Sequence, residues 1–260
     1  MSTPNDNLFE FERFETILST FDQITLSEMD NVKLMSRTDT KFVFNLELLP
    51  EIMQKLSPYY RVLNVDGINI NEYQTLYYDT DEFLFYHQHQ SGKASRSKVR
   101  YRTYVQSDLH YFEVKNKNNK EITSKKRIKA IEDETQISEK SLAFYHKHAI
   151  INDADLKPKF WVNYSRITLV NKTQPERLTL DLNLEFKNED SNKNYNVIVI
   201  AELKQERRSK SVFVDVIRSH SIREFSISKY CLGVVNLFQN VKQNNFKSKL
   251  LTIKKICNEV

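Results

Sequence analysis

Cationic side chains recur at every second position in one segment after another of this 260-residue chain. In the segment 97–105, Lys98, Arg100 and Arg102 alternate with apolar or neutral residues. Because successive side chains of a β-strand point to opposite faces, this spacing puts the three cations in one row. Guanidinium and ammonium groups in a row favour an anion that carries several charges, such as a chain of phosphates.

Three further segments show the same alternation. Their polar positions are Tyr111, Glu113, Lys115 and Lys117 in the first, Thr123, Lys125, Arg127 and Lys129 in the second, and Arg177, Thr179, Asp181, Asn183 and Glu185 in the third. One charged face per strand is ordinary, because antiparallel sheets often expose one face to water. Many such strands with their charged faces turned inward would instead form a barrel, whose basic lumen suits a polyanion and a metal ion.

Strands in the middle of the chain and helices at both ends would position these residues. Apolar spacing predicts an amphipathic helix over 7–21 and further helices at 46–56, 138–150, 211–238 and within 240–260, with a short helix or turn at 83–90. Strands are predicted around 33–45 and at 72–81, 97–105, 110–117, 121–130, 159–170, 177–187 and 195–205, and a hairpin turn at Asp66-Gly67. The fold class predicted is α+β, an antiparallel β-barrel with flanking helices at both ends.

Length and composition bound the class of protein. A hydrophobic content of 40% is enough for a real core, and the length fits one large domain. The net charge of +5 arises from 39 Lys and Arg against 34 Asp and Glu, so clustering of charge matters more than the sum. With three glycines in the whole chain, a Gly-rich phosphate loop or a dinucleotide fingerprint is excluded.

Several other classes of site and partner are also not expected. The six histidines form no metal-binding constellation, and we interpret them as surface residues. No aromatic RNA-binding signature accompanies the basic residues, so no nucleic-acid partner is expected. Cys231 and Cys257 lack metal-ligand spacing and are predicted to be reduced thiols of a cytosolic protein.

The chain shows no secretory signal and no apolar run near the ~20 residues that span a bilayer. We therefore expect a cytoplasmic protein without a transmembrane segment of its own. The lysines of residues 240–260 follow a basic amphipathic pattern. Such a pattern usually marks a solvated helix face, and the alternative is contact with anionic lipid or an acidic partner. That alternative would place the protein at the inner face of a membrane, beside a membrane-associated partner protein.

Nine motifs follow one another in the order found in a known family. They are Arg37-x-Asp39-x-Lys41, YQTLYYDT, KVRYR, EVKNK, KKR, YSRITL, RLTLD, AELK and ISKYCLG. Over residues 30–238 the chain therefore resembles the VTC domain, the polyphosphate polymerase branch of the triphosphate tunnel (CYTH-like) superfamily. The resemblance implies a barrel that encloses a basic tunnel. It also implies that a metal, usually manganese, assists transfer of the terminal phosphate of ATP onto a polyphosphate chain.

The resemblance implies roles for individual residues. The catalytic set it implies is Arg100, Arg102, Lys115, Lys125, Arg166 and Lys229. Phosphate contacts are expected of Lys41, Lys117, Arg127, Tyr164 and Ser228, and of Lys98 because it continues the row of Arg100. Glu202 matches the metal-binding glutamate, and Asp181 and Glu185 could complete a second metal site. Carboxylate oxygens suit Mn²⁺ or Mg²⁺.

The first motif bears on whether the protein is a polymerase or a hydrolase. Hydrolytic relatives in the superfamily open with E-x-E-x-K, whereas this chain has Arg37-x-Asp39-x-Lys41. One carboxylate is replaced by a cation, which favours gripping anions over activating water. The expected partners are therefore ATP and inorganic polyphosphate or triphosphate. The alternatives are an inorganic triphosphatase of the same fold and a non-catalytic polyphosphate-binding module.

Structural roles remain open for several of these residues. Glu202 could form a salt bridge with Lys204, Asp181 could be a structural partner, and Glu113 could pair with a neighbouring lysine. Position 117 departs from those relatives that carry histidine there. The chain is predicted to divide into an N-terminal helical segment (1–29), a VTC-type tunnel domain (30–238) and a basic C-terminal tail (239–260).

Overall fold

A computed structural model describes residues 14–30, 38–120, 122–131 and 134–258. The strands are β1 (Asp22–Ile24), β2 (Thr38–Asn45), β3 (Tyr60–Leu63), β4 (Ile70–Asp79), β5 (Arg96–Tyr104), β6 (Leu109–Lys117), β7 (Thr123–Lys129), β8 (Lys157–Asn171), β9 (Glu176–Lys187), β10 (Asn192–Tyr195) and β11 (Ile198–Gln205). The helices are α1 (14–18 in the described chain), α2 (Leu26–Asp30), α3 (Leu49–Leu56), α4 (Leu84–Gln90), α5 (Glu139–His148), α6 (Val212–Ser219), α7 (Lys229–Leu237) and α8 (Lys247–Ile256).

The chain divides into two compact units. Unit 1 comprises Met1–Asn71, Ser165–Leu182 and Asn196–Ser226, and unit 2 comprises Glu72–Tyr164, Asn183–Tyr195 and Ile227–Val260. Strands β8 and β9 therefore contribute residues to both units. The chain passes from unit 1 to unit 2 within β9, between Leu182 and Asn183.

Unit 1 is a sheet in the order β2-β11-β9-β8-β3-β1. Antiparallel registers join β11 to β2 and to β9, whereas β1 and β3 are parallel. One face packs Phe42, Phe44, Leu178, Leu180, Val199, Ala201 and Leu203 against side chains of α1, α3 and α6. Helix α3 shows why such a layer forms, because Leu49, Ile52, Met53 and Leu56 recur at helical spacing and are fully buried.

Unit 2 contains the strand order β8-β4-β5-β6-β7, with β10 paired to β9. Strands β4, β5, β6 and β7 form antiparallel pairs in chain order. Their apolar face holds Leu76, Tyr78, Val99, Tyr101, Phe112 and Val114 against side chains of α4 and α5. Helix α5 begins where the sequence predicted, because the Ser138 side chain accepts a hydrogen bond from the Ser141 amide.

The α+β class, the large antiparallel sheet and the flanking helices are confirmed. The strand path runs from β2 to β7 and is open, since the described residues show no pairing between those two strands. Closure into a hydrogen-bonded barrel, which the sequence predicted, is therefore not found. None of the helices in the described ranges combines the length and apolar character of a transmembrane span.

Two local predictions need correction. The turn at Asp66-Gly67 is present, with φ of 51° and 87° at its two residues, but β3 pairs with β1 and β8 and not with β4. The predicted helical stretch 211–238 is two helices, α6 and α7, separated by residues 220–228. Ser221 adopts a left-handed φ of 59°, which a continuous helix cannot contain.

Candidate functional site

Strands β5, β6 and β7 of unit 2 carry one strongly cationic surface, here named the basic face. Its cations are Lys98, Arg100 and Arg102 of β5, Lys115 and Lys117 of β6, and Lys125, Arg127 and Lys129 of β7. The register sets Arg100 opposite Glu113, and Glu113 opposite Arg127. On β5 and β6 the alternate residues Val99, Tyr101, Phe112 and Val114 are buried in the core, so the sheet is two-sided there, whereas the alternate residues of β7 are half-buried or exposed.

Arg100, Glu113 and Lys125 form the centre of the basic face. The Arg100 Nε donates to Glu113 Oε2 at 2.6 Å, and the Lys125 ammonium pairs with the other carboxylate oxygen. Glu113 is 1% exposed and Lys125 is 36% exposed. Burial opposes ionisation of Glu113, but Arg100, Arg102 and Lys125 outweigh it and hold the pKa of that carboxyl well below its usual range.

Arg102 lies beside Arg100 on the same row and is 6% exposed. Its Nε donates to Thr75 Oγ1 at 3.2 Å, and its guanidinium lies 5.4 Å from the Tyr73 ring centroid and 5.9 Å from that of Tyr164. The Lys229 ammonium approaches the Tyr164 ring to 4.6 Å. Arg102 and Lys229 therefore both lie close to the ring of Tyr164. The sequence predicted these three residues separately, and the structure brings them together.

The start of α7 adds Ser228 and Lys98 to this group. The Lys98 ammonium donates to Ser228 Oγ at 2.9 Å, and the same hydroxyl caps α7 by accepting from the Cys231 amide. Backbone amides at the start of a helix favour anions. Ser228 therefore joins a lysine of the basic face to a helix end whose dipole has the right sign for phosphate.

The outer edge of the basic face is open to solvent. Lys115 and Arg127 are exposed, and Lys117 is half-buried. The Arg127 guanidinium lies 4.4 Å from the Tyr111 ring centroid, which gives it a fixed resting position. Shielding from water is therefore much stronger at Arg102 than at β7.

Unit 1 carries a second charged surface, here named the acid-paired face, made of Lys41, Arg166, Asp181, Glu202 and Lys204. Glu202 Oε2 lies 2.8 Å from the Lys204 ammonium, and Oε1 lies 3.5 Å from that of Lys41. The register places Glu202 between Lys41 on β2 and Thr179 on β9. The salt bridge to Lys204, which the sequence left open, is thus present.

These contacts set the ionisation of the acid-paired face. Burial alone would raise the pKa of Glu202, but Lys204 and Lys41 hold it well below the usual value, so the carboxylate is ionised at neutral pH. Burial lowers the pKa of Lys204 to about 8, because Arg166 adds to the effect and Glu202 only partly offsets it.

Asp181 and Glu185, the candidate ligands of a second metal, have other partners. Asp181 is 2% exposed, and Arg166 grips it with Nε–Oδ1 and Nη2–Oδ2 distances of 2.6 and 2.9 Å. Glu185 belongs to unit 2, where it accepts a hydrogen bond from Asn163 at 2.7 Å. Asp181 would have to leave Arg166 before it could bind a metal with both oxygens.

Glu202 fits a divalent ion that is shared with phosphate. Within the described ranges, no three or more His, Cys, Asp or Glu side chains gather as metal ligands. Mg²⁺ and ions like it are commonly held by one or two carboxylates together with substrate phosphates and water. Glu202 is ionised and 18% exposed, so it meets that requirement, whereas an all-protein metal centre is not supported.

Sequence reasoning named Lys204 only as a possible salt-bridge partner of Glu202, although the alternation of β11 could have placed it on the same face. It missed the buried Asp79 altogether. Asp79 is fully buried; it accepts backbone amides of Phe85 and Tyr86 at 2.9 and 3.0 Å, and the Tyr230 hydroxyl donates to it. Asp79 therefore connects α4 with the first turn of α7. No local sequence pattern predicts this contact, because its partners lie far apart in the chain.

Two predictions concern residues that lie outside the described ranges. Arg37 of the first motif falls outside the described residues, as do residues 7–13 of the predicted N-terminal helix. The interpretation of all histidines as surface residues holds only in part for His89, which is half-buried with its Nε2 atom inside the protein. Burial together with Lys98 and Arg96 lowers the pKa of His89 to about 2, so its ring is neutral.

Comparisons with known proteins cover most of the chain but not its two ends. A family model for the VTC domain matches residues 36–238. No similar sequence was found among curated proteins. A Hippeastrum protein, described as a candidate adenylyl cyclase with a dominant triphosphatase activity, has a similar structure with a TM-score of 0.51 at 10% identity, covering 79% of this chain and 98% of that one. A candidate adenylate cyclase from Vibrio parahaemolyticus gives 0.45 at 10% identity, covering 76% and 99%. The Hippeastrum similarity shows a shared fold.

Proposed function

The chain belongs to the VTC domain family, and from that premise we propose that it is a polyphosphate polymerase. The proposed reaction transfers the terminal phosphate of ATP onto a polyphosphate chain and leaves ADP. The observation that carries the proposal is the row of Arg100 and Arg102, half-buried and buried, with Lys98 on the same strand and Lys115 and Lys125 on the next two strands. A guanidinium held in such a row can bind two phosphate oxygens at once.

The residues of the chain act by positioning and by neutralising charge. A terminal oxygen of the polyphosphate attacks the γ-phosphorus of ATP, and the bond from that phosphorus to the bridging oxygen of ADP breaks. Such an in-line transfer needs no covalent nucleophile from the protein. Arg100, Arg102, Lys125 and Lys229 would hold the phosphates, and the neutral rings of Tyr73 and Tyr164 fix the position of Arg102.

Glu202 would hold Mn²⁺ or Mg²⁺ at the acid-paired face. When bound, the ion supplies further neutralisation of phosphate oxygens. Lys204 and Lys41 keep Glu202 ionised, and Arg166 holds Asp181 in position with two hydrogen bonds. The same cations can exchange a carboxylate partner for a phosphate, since both present anionic oxygens.

A triphosphatase is the second candidate, because the Hippeastrum protein that shares the fold is described as having a dominant triphosphatase activity. Asp39 and Lys41 retain two of the three charged residues of the hydrolytic E-x-E-x-K pattern. A non-catalytic polyphosphate-binding module, the third reading, would keep the basic face and lack turnover.

One incubation separates these functions. Purified protein is mixed with Mn²⁺ and either ATP or tripolyphosphate, and products are followed by gel detection of polymer and by assay of orthophosphate. Polymer growth supports the polymerase. Orthophosphate release without polymer supports the triphosphatase, and tight tripolyphosphate binding with no loss of ATP over hours supports the binding module.

We also propose a cytoplasmic location with peripheral contact to a membrane-associated partner. Helix α8 supports this, because Lys247, Lys249, Lys254 and Lys255 lie on it and Ile253 alone of its residues is buried. Sedimentation of the protein with and without liposomes that contain anionic lipid tests the contact directly. Equal recovery in the supernatant under both conditions would argue against it.

A further inference from the structure

Glu113 is a carboxylate buried in the middle of a cationic surface. Its side chain is 1% exposed, and the register sets it directly between Arg100 on β5 and Arg127 on β7. A buried carboxylate needs partners, and both of its oxygens have cationic ones. Neither the metal role nor the phosphate role assigned above uses this side chain.

The contact with Arg100 is made through the side of the guanidinium. Glu113 Oε2 accepts from Nε at 2.6 Å, and Nη1 of Arg100 donates a longer hydrogen bond of 3.5 Å to the Tyr77 hydroxyl. Each terminal nitrogen of a guanidinium carries two N–H groups. When the carboxylate binds Nε, N–H groups of both terminal nitrogens can still donate to a second acceptor. Glu113 therefore orients the arginine without occupying the fork that a phosphate would use.

The contact with Lys125 controls a charge. Lys125 faces several ionisable groups: Arg100 and Arg102 on β5, and Glu113 and Lys115 on β6. Partial burial and Arg100 lower the pKa of Lys125 to about 7, and Glu113 is the group that opposes this fall. Without the carboxylate, the ammonium would lose its proton at a lower pH.

We propose that Glu113 is a positioning residue for polyphosphate, which aims the terminal nitrogens of Arg100 and keeps Lys125 charged for the incoming phosphate. The choice of ligand rests on the proposed function. A blocking role, in which Glu113 competes with phosphate, is disfavoured because its contact with Arg100 uses Nε. The carboxylate supplies order and charge, and the phosphate binds the atoms it leaves open.

The test measures tripolyphosphate binding by calorimetry at pH 7 without metal. Glu113→Gln keeps the shape and removes the charge, and should weaken affinity about tenfold, as expected for loss of a charge-assisted contact. Glu113→Asp should recover part of that loss. Lys126→Gln is the matched control, because Lys126 is exposed and opposes Val114, so it lies on the other face of β7; its affinity should stay within about twofold of wild type.

A second readout needs no ligand. The NMR titration of the Lys125 side chain, assigned with Lys125→Arg, should have its midpoint near pH 7 in wild type and at a lower pH in Glu113→Gln. If Glu113→Gln does not fold, Glu113→Asp decides. It keeps the charge on a side chain that is one methylene group shorter, so it cannot hold the Arg100 Nε and the Lys125 ammonium in the same positions and should bind tripolyphosphate more weakly than wild type.

The outcomes separate this proposal from the proposed function. Unchanged or tighter binding by Glu113→Gln, or an unchanged Lys125 midpoint, would overturn the role of Glu113. So would a Glu113→Asp variant that binds tripolyphosphate as tightly as wild type. Wild-type protein that binds no tripolyphosphate would overturn the substrate class, while the Lys125 midpoint would still decide whether Glu113 keeps that lysine charged.

Discussion

The two charged surfaces follow the same strand alternation and differ in charge balance. On the acid-paired face each carboxylate has its own cations, Glu202 with Lys204 and Lys41, and Asp181 with Arg166. Among the described residues of the basic face, Glu113 pairs with both Arg100 and Lys125, and further cations lie on β5, β6 and β7. Alternation alone therefore indicates where charges lie, and the number of carboxylates decides what those charges can bind.

The difference has a physical consequence for ligand binding. Cations that already hold a carboxylate gain less from a phosphate, because the carboxylate must first be displaced. Cations held close together repel one another, and a polyanion relieves that repulsion. We therefore assign most of the phosphate affinity to the basic face, and the metal dependence to the acid-paired face.

Charge reversal on the basic face should have the largest effect. Arg102→Glu places a carboxylate beside Glu113 and removes a buried guanidinium, so tripolyphosphate affinity should fall by more than about 100-fold. Calorimetry measures the affinity, and circular dichroism checks that the variant is folded. Lys126→Glu is the control, since it changes the net charge equally on the opposite face. Unchanged affinity in Arg102→Glu would refute the division between the two faces.

Neutralising the acid-paired face should affect turnover more than binding. Glu202→Gln removes the proposed metal ligand, so Mn²⁺-dependent turnover of ATP should fall about 100-fold while metal-free tripolyphosphate affinity changes by less than about threefold. Glu47→Gln, an exposed carboxylate of unit 1, controls for loss of charge. Full activity in Glu202→Gln would mean that the metal is not held there.

The sequence predicted which residues share a strand face better than it predicted which strands and side chains pair with one another. Lys98, Arg100 and Arg102 share a face because the period of a strand is set by its backbone. The pairing of β3 with β1 and β8 depends on contacts far apart in the chain, so the local hairpin signal at Asp66-Gly67 predicted the turn and not the neighbours. Likewise, a basic row predicts anion binding, whereas the burial of Glu113 within it depends on how three strands register.

A smaller effect is expected in the titration of Lys125 and Lys204, which compares the basic face with the acid-paired face. Lys125 and Lys204 have pKa values lowered to about 7 and about 8, so side-chain NMR should show Lys125 losing its proton first. Tripolyphosphate should raise both midpoints, because an added anion favours the charged form, and by more at Lys125 if the basic face is the main site. A larger shift at Lys204 would reverse the assignment of affinity.

The smallest expected effect concerns Asn183, the first residue of β9 that belongs to unit 2. Asn183 has a left-handed φ of 51°, a conformation that asparagine and glycine tolerate better than other residues. Asn183→Ala should lower the free energy of unfolding by about 1 kcal/mol, and Asn183→Gly by less, because only the Cβ is strained. Chemical denaturation measures both. Neither variant should alter tripolyphosphate affinity, because the exchange neither adds nor removes a charge. A loss of affinity in Asn183→Ala with stability unchanged would mean that Asn183 itself contributes to phosphate binding and that the assignment of affinity to the basic face is wrong.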